Sequence, residues 1–165
     1  MPHRKRQTEV LDATLEECTP QEVVRELKER WKAHPSDDNK RLQFASALST
    51  SSELSDKQDS IKHFLYFLEN GGNKNAFQRE SLFLIARTHY ALGAYEVARG
   101  YCEDLYRSEP DDPQVRQLHM AITYKHDTQM ENIRKQRETT FNVVVGVGAT
   151  AAAIALGYLL SPRRK

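Results

Sequence analysis

Residues 79–113, RESLFLIARTHYALGAYEVARGYCEDLYRSEPDDP, decide the fold. Leu82, Ile85 and Ala86 recur at helical spacing. Leu92-Gly93 then breaks the pattern with a tight turn. Ala98 follows on a second helix, and Pro110 closes that helix because proline cannot continue it. Small residues at Ala86 and Ala98 let two helices approach closely. The unit is a helix–turn–helix of about 35 residues, the period of a tetratricopeptide repeat.

Upstream, Asp38–Gly72 carries a second pair of similar length. Phe44, Ala45 and Leu48 fit the pattern, while the inter-helix loop Ser49–Asp56 is a few residues long for it. A leading helix carries Val23, Val24, Leu27 and Trp31, and His34-Pro35 ends it. Thr19-Pro20-Gln21-Glu22 and Ser55-Asp56-Lys57-Gln58 have the form of capping boxes. Asp112 reads as the cap of a sixth helix that opens at Pro113 and carries Val115, Leu118, Ala121 and Ile122. No stretch alternates in the manner of a strand. The expected fold is all-α: a tetratricopeptide-like bundle of about six helices plus one C-terminal transmembrane helix. Two repeats are few, so the first and sixth helices act as caps.

Phe141–Leu160, FNVVVGVGATAAAIALGYLL, holds no charge over twenty residues and leads into Arg163-Arg164-Lys165. Twenty helical residues span about 30 Å, the thickness of a bilayer's apolar core. The reading is a tail anchor. Phe141 and Leu160 bound the membrane-targeting segment, and Arg163, Arg164 and Lys165 form its basic tip. The domain plan is a flexible N-terminal arm (1–18), a helical domain (19–126), a juxtamembrane linker or helix extension (127–140), the anchor (141–160) and a basic tail (161–165). Gly146, Gly148, Ala152 and Gly157 would let anchor helices pack, so a homo-oligomer is compatible with the tail.

All 23 acidic residues precede Phe141, against 21 of the 24 Lys and Arg, so the head carries a net charge of −2. That is not the basic profile of a nucleic-acid binder. Cys18 and Cys102 form no framework, which suits free thiols in a reducing cytosol. The six histidines show no ligand spacing, and no glycine-rich phosphate loop exists. An enzyme, a cofactor and a metal site are therefore not expected. The run His3-Arg4-Lys5-Arg6 reads as a solvated stretch of the arm.

On a solenoid, one face of the second repeat presents Glu80, Phe83, Arg87, Tyr90 and Ala91. The first repeat adds Asn39, Leu42, Ser46 and Ser49. Aromatic and arginine side chains are the usual anchors of protein interfaces, so this face is the candidate partner groove. Val10, Leu11 and Leu15 of the arm could fill it until a partner displaces them. A chaperone co-receptor is the alternative reading. It would want Lys and Asn where Leu42 and Ser46 stand.

Several runs together carry a family resemblance. They are Phe83-Leu84-Ile85-Ala86, Tyr90-Ala91-Leu92-Gly93-Ala94-Tyr95-Glu96-Val97-Ala98 and Ser108-Glu109-Pro110-Asp111-Asp112, with Phe44-Ala45-Ser46-Ala47-Leu48 and Ile61-Lys62-His63-Phe64-Leu65 upstream. In this order, ahead of an anchor, the chain from about Thr19 to Lys165 resembles the mitochondrial fission 1 protein family. Thr88-His89-Tyr90-Ala91 departs from the family's Gly-Asn-Tyr-Arg run, and Met1–Cys18 is longer than usual. The resemblance implies an adaptor in the mitochondrial outer membrane, also in peroxisomes, with its N-terminus cytosolic. It implies recruitment of a dynamin-related GTPase, directly or through adaptors, and an arm able to lie across the groove.

Overall fold

The computed structural model describes residues 2–15, 18–70 and 75–160; within them, the side chains of 2–4, 6, 7, 14, 15, 75, 76 and 141–160 are not described. Among the described residues there are seven helices and no strand: α1 (Pro2–Leu15), α2 (Gln21–Ala33), α3 (Asp38–Ser49), α4 (Leu54–Asn70), α5 (Asn75–Ala91), α6 (Tyr95–Ser108) and α7 (Pro113–Leu160). The chain divides into two units, Met1–His126 and Asp127–Lys165.

In the first unit each of α2 to α5 packs against the next helix, and α3 also meets α5. That second contact is what stacked helix pairs require, because the first helices of successive repeats line up side by side. The fold is all-α and tetratricopeptide-like. Ala45, Ala86 and Ala98 are all fully buried at helix crossings. Gly93 adopts φ +74°, the left-handed conformation that turns α5 into α6 and that suits glycine. Asp112 caps α7 as expected, accepting from the backbone N–H of Gln114 (2.8 Å) and Val115 (3.0 Å). Asp37 does the same for α3 through Asn39 and Lys40.

Two capping boxes are not formed. Thr19 makes no cap; its backbone N–H donates to the Thr50 carbonyl (2.9 Å), and its hydroxyl pairs with that of Thr50 (2.7 Å). Gln21 donates to Ser51 and Asp56. These long-range bonds tie the start of α2 to the α3–α4 loop and outcompete the local cap. Ser55 lies inside α4, which opens one residue earlier, at Leu54.

The stretch read as a flexible arm is helical from Pro2 to Leu15. Its composition offers no broad apolar stripe, and its order comes from one docked face, described below. α7 runs without a break from Pro113 to Leu160, through residues 127–140, the stretch read as a juxtamembrane linker or helix extension. In the second unit, residues 127–140 are exposed helix. The side chains of the expected anchor, Phe141 and Leu160 included, and the basic tip Arg163, Arg164 and Lys165 lie outside the described residues. Among the described residues no helix is long and apolar enough to cross a membrane.

Candidate partner-binding groove

Thr8, Leu11 and Asp12 sit at positions i, i+3 and i+4 of α1, so they share one helix face. Thr8 is 3% and Leu11 8% exposed, whereas Val10, a third of a turn away, is 51% exposed. Leu11 joins a cluster made by Ala86 and Tyr90 of α5, Ala98 and Cys102 of α6, and Leu118, Ala121 and Ile122 of α7. The arm is thus seated on the second repeat.

Polar contacts fix the seat. The Tyr90 hydroxyl donates to Asp12 Oδ1 at 2.7 Å, and Lys125 Nζ lies 2.8 Å from Asp12 Oδ2. Each carboxylate oxygen therefore takes one partner, one from α5 and one from α7. Burial, reinforced by the Asp12 bond, pushes the Tyr90 pKa far above the usual phenol range, so Tyr90 remains a neutral donor. The bond to Asp12 raises the Lys125 pKa in turn. The Tyr90 ring also meets Tyr95 edge-on at 5.5 Å between centroids.

The other residues predicted for the groove divide into those drawn together and those left apart. Phe83 is half-buried and packs against both the arm cluster and a neighbouring cluster of Ala45, Phe64, Leu84 and Ile85. Leu42 packs on that second cluster, which links the first repeat to Phe83. Arg87 is half-buried, and burial lowers its pKa against an opposing pull from Glu80. Glu80 also lies 3.8 Å from Arg79, which is itself clamped by Glu109 (3.0 Å) and Asp112 (2.8 Å). Ala91 is half-buried at the end of α5. Ser46 is half-buried; its carbonyl accepts from the Ser49 and Thr50 hydroxyls. Ser49 is 6% exposed, so its hydroxyl serves α3 rather than a surface. Asn39 is exposed at the start of α3, where its N–H donates to Asp37. The side chain of Leu15 is outside the described residues.

Sequence reasoning passed over Asp12, Lys125 and Thr8. The signal was available for two of them, since Thr8 and Asp12 flank Leu11 at helical spacing. Lys125 gave none, because its partner is 113 positions away along the chain.

A further concavity, of about 290 Å³, lies among α2, α3 and α4. Its lining combines apolar Val24, Trp31, Phe44 and Leu48 with basic Arg25 and Lys28 and acidic Asp56 and Asp59. Trp31 stacks on Phe44 at 5.4 Å, and its buried indole N–H has no partner among the described residues. Arg41 lies 3.4 Å over the Tyr66 ring and donates to His63 Nδ1 at 3.4 Å. Burial, then the Arg41 charge, lowers the His63 pKa. Among the described residues no group of His, Cys, Asp and Glu is placed to hold a metal ion.

Against known proteins, residues 79–129 match the family model of the Fis1 C-terminal tetratricopeptide repeat. The mitochondrial fission 1 protein of Yarrowia lipolytica is 31% identical over 125 residues, 76% of this chain and 74% of that protein. The chain belongs to the mitochondrial fission 1 protein family. The relative from Eremothecium gossypii is also 31% identical, over 75% of this chain and 73% of its own length. The crystal structure of Fis1 from Saccharomyces cerevisiae superposes with a TM-score of 0.61 at 24% identity, covering 70% of this chain and 88% of that one. A crystal structure of yeast Fis1 in complex with an Mdv1 fragment, containing N-terminal extension and coiled-coil domains, superposes with a TM-score of 0.60 at 21% identity over 67% of this chain. These structural likenesses concern the fold. The family is a repeat-domain family rather than an enzyme class.

Proposed function

We propose that this chain is a tail-anchored adaptor that brings fission machinery to the mitochondrial outer membrane. Residues 19–126 are the docking domain, 127–140 extend it from the bilayer, and 141–160 anchor it with 161–165 across the membrane. The cargo is a dynamin-related GTPase, reached directly or through a coiled-coil adaptor. The yeast relative crystallised with an Mdv1 fragment supports the second route. Peroxisomes, bounded by a similar membrane, are a further site of residence.

The observation that carries this reading is the seating of Leu11 and Asp12 on the surface formed by Tyr90, Phe83 and Lys125. A surface that accepts an amphipathic helix from its own chain has the shape and chemistry to accept one from a partner. Its anchors are an aromatic floor, a half-buried Arg87 and a polar clasp. In the resting state α1 occupies the groove, and a partner competes with it.

The test is complementation. In cells lacking their own fission 1 protein, the chain restores a fragmented mitochondrial network, and a version ending at Thr140 stays cytosolic and does not. Residence of the intact chain only in the endoplasmic reticulum would refute the localisation. Restored fission by a chain carrying Phe83→Ala, Arg87→Ala and Ala91→Arg together would refute the groove.

A further inference from the structure

The basic run at the N-terminus stands directly ahead of one buried residue, Thr8. Arg4, Lys5, Arg6 and Gln7 precede Thr8. Basic side chains two and three positions before a threonine are what a basophilic protein kinase selects, because carboxylates in its substrate cleft pair with them. Thr8 is 3% exposed and lies on the face of α1 that docks, one turn from Leu11 and Asp12. Lys5 and Glu9, on the outer face, are exposed.

From this we propose that Thr8 is a phosphorylation site for a basophilic kinase and that its phosphate holds the arm off the groove. The proposal rests on the reading that α1 covers the groove. In the transfer, Thr8 Oγ1 attacks the γ-phosphorus of ATP. An O–P bond forms, the β–γ bridging bond breaks, ADP leaves, and the hydroxyl proton passes to the kinase's carboxylate base.

Two physical facts make the site a switch rather than an incidental mark. A kinase needs its substrate strand extended and exposed, so it acts on the undocked arm alone. Once made, phosphothreonine carries a charge of about −2, which the buried position of Thr8 cannot accept without desolvating it. It also stands one turn from the Asp12 carboxylate, where like charges repel. Phosphorylation therefore captures the open arm and blocks its return. The sequence of events is opening, transfer, and retention of the open state until a phosphatase acts.

The experiment uses the full chain in liposomes with the catalytic subunit of cAMP-dependent protein kinase and ATP. Mass spectrometry maps the phosphate, and hydrogen exchange reads residues 2–15. We expect phosphate on Thr8, absent in Thr8→Val. Asp12→Ala, which loosens the clasp, should accelerate incorporation about 30-fold, because the charged bonds it removes hold the arm closed. Phosphorylated wild-type protein should lose protection in the arm and keep it in α5 and α6. No phosphate on Thr8 even in Asp12→Ala overturns the proposal, as does phosphorylation that leaves arm protection unchanged or raises it. Loss of arm protection without any change in adaptor binding sustains the Thr8 switch and refutes arm blockade, so the two claims fail separately.

Discussion

Removing the Asp12 carboxylate should undock the arm while leaving the helical domain intact. Asp12 accepts from Tyr90 at 2.7 Å and pairs with Lys125 at 2.8 Å. The Lys125 pair is partly solvated, with side chains 31% and 40% exposed, so it contributes about 0.5–1 kcal/mol. The Tyr90 bond is drier, since Tyr90 is only 3% exposed. A hydrogen bond to a charged acceptor in such a place contributes roughly 1.5 kcal/mol. Asp12→Ala thus shifts arm docking by about 2 kcal/mol, close to a 30-fold change in the docked-to-undocked ratio. A free helix of 14 residues is marginal in water, so arm amides exchange as soon as the arm lifts. Hydrogen exchange on residues 2–15 should therefore quicken by about 30-fold in Asp12→Ala and by about tenfold in Tyr90→Phe. Amides of α5 and α6 should be unaffected in Asp12→Ala. Unchanged arm exchange in both variants would refute the clasp. Equal acceleration across the whole domain would show that Asp12 holds the fold together rather than the arm down.

Four further outcomes follow from the packing and the charges. Gly93→Ala keeps open space around the new methyl group but forces an L-residue to φ +74°, so thermal unfolding should show a loss of about 1 kcal/mol. Ala86→Leu overpacks a fully buried crossing and should cost about 1–3 kcal/mol by denaturant titration, with a further loss of arm protection because Ala86 and Leu11 share one buried cluster. In native protein a thiol reagent should modify exposed Cys18 alone; burial pushes the Cys102 thiol up to about 12, and it should react only after unfolding. Burial lowers the pKa of both His63 and His89 below the ordinary 6.5. The unfolded chain then binds more protons than the native one as pH falls from 6.5. Stability should accordingly decline on mild acidification, and His63→Gln with His89→Gln should flatten that decline in urea titrations at stepped pH.

The sequence made the repeat legible because its signals are local. Ala86, Gly93, Ala98 and Pro110 lie within one helix pair, and each imposes a backbone or packing constraint that nearby residues cannot override. Asp112 was readable as a cap for the same reason. Thr19 misled because its local option, a capping box, lost to a partner 31 positions away at Thr50. The site divides along the same line. Phe83, Tyr90 and Leu11 stood out by type and helical register. Val10 was drawn in by hydrophobicity alone, although helix geometry turns it outward beside Leu11. Asp12 and Lys125 stayed hidden because an isolated acid and an isolated base on distant helices look like any solvated pair. Residues 127–140 read only as a linker or a helix extension because a polar helix without an apolar face leaves no periodic trace.

Docking of a fission adaptor on the surface beneath α1 is the core of the proposed function. Its most direct test is the affinity of the full chain in liposomes for a fragment with the N-terminal extension and coiled coil of an Mdv1-type adaptor. Deleting residues 2–15 should tighten binding about tenfold or more by removing the competing helix. Phe83→Ala in the same deleted background should weaken it by at least tenfold, the loss expected when an aromatic anchor of an interface is truncated. Equal affinity for all three proteins would contradict the claim and place the adaptor's docking surface elsewhere on the head.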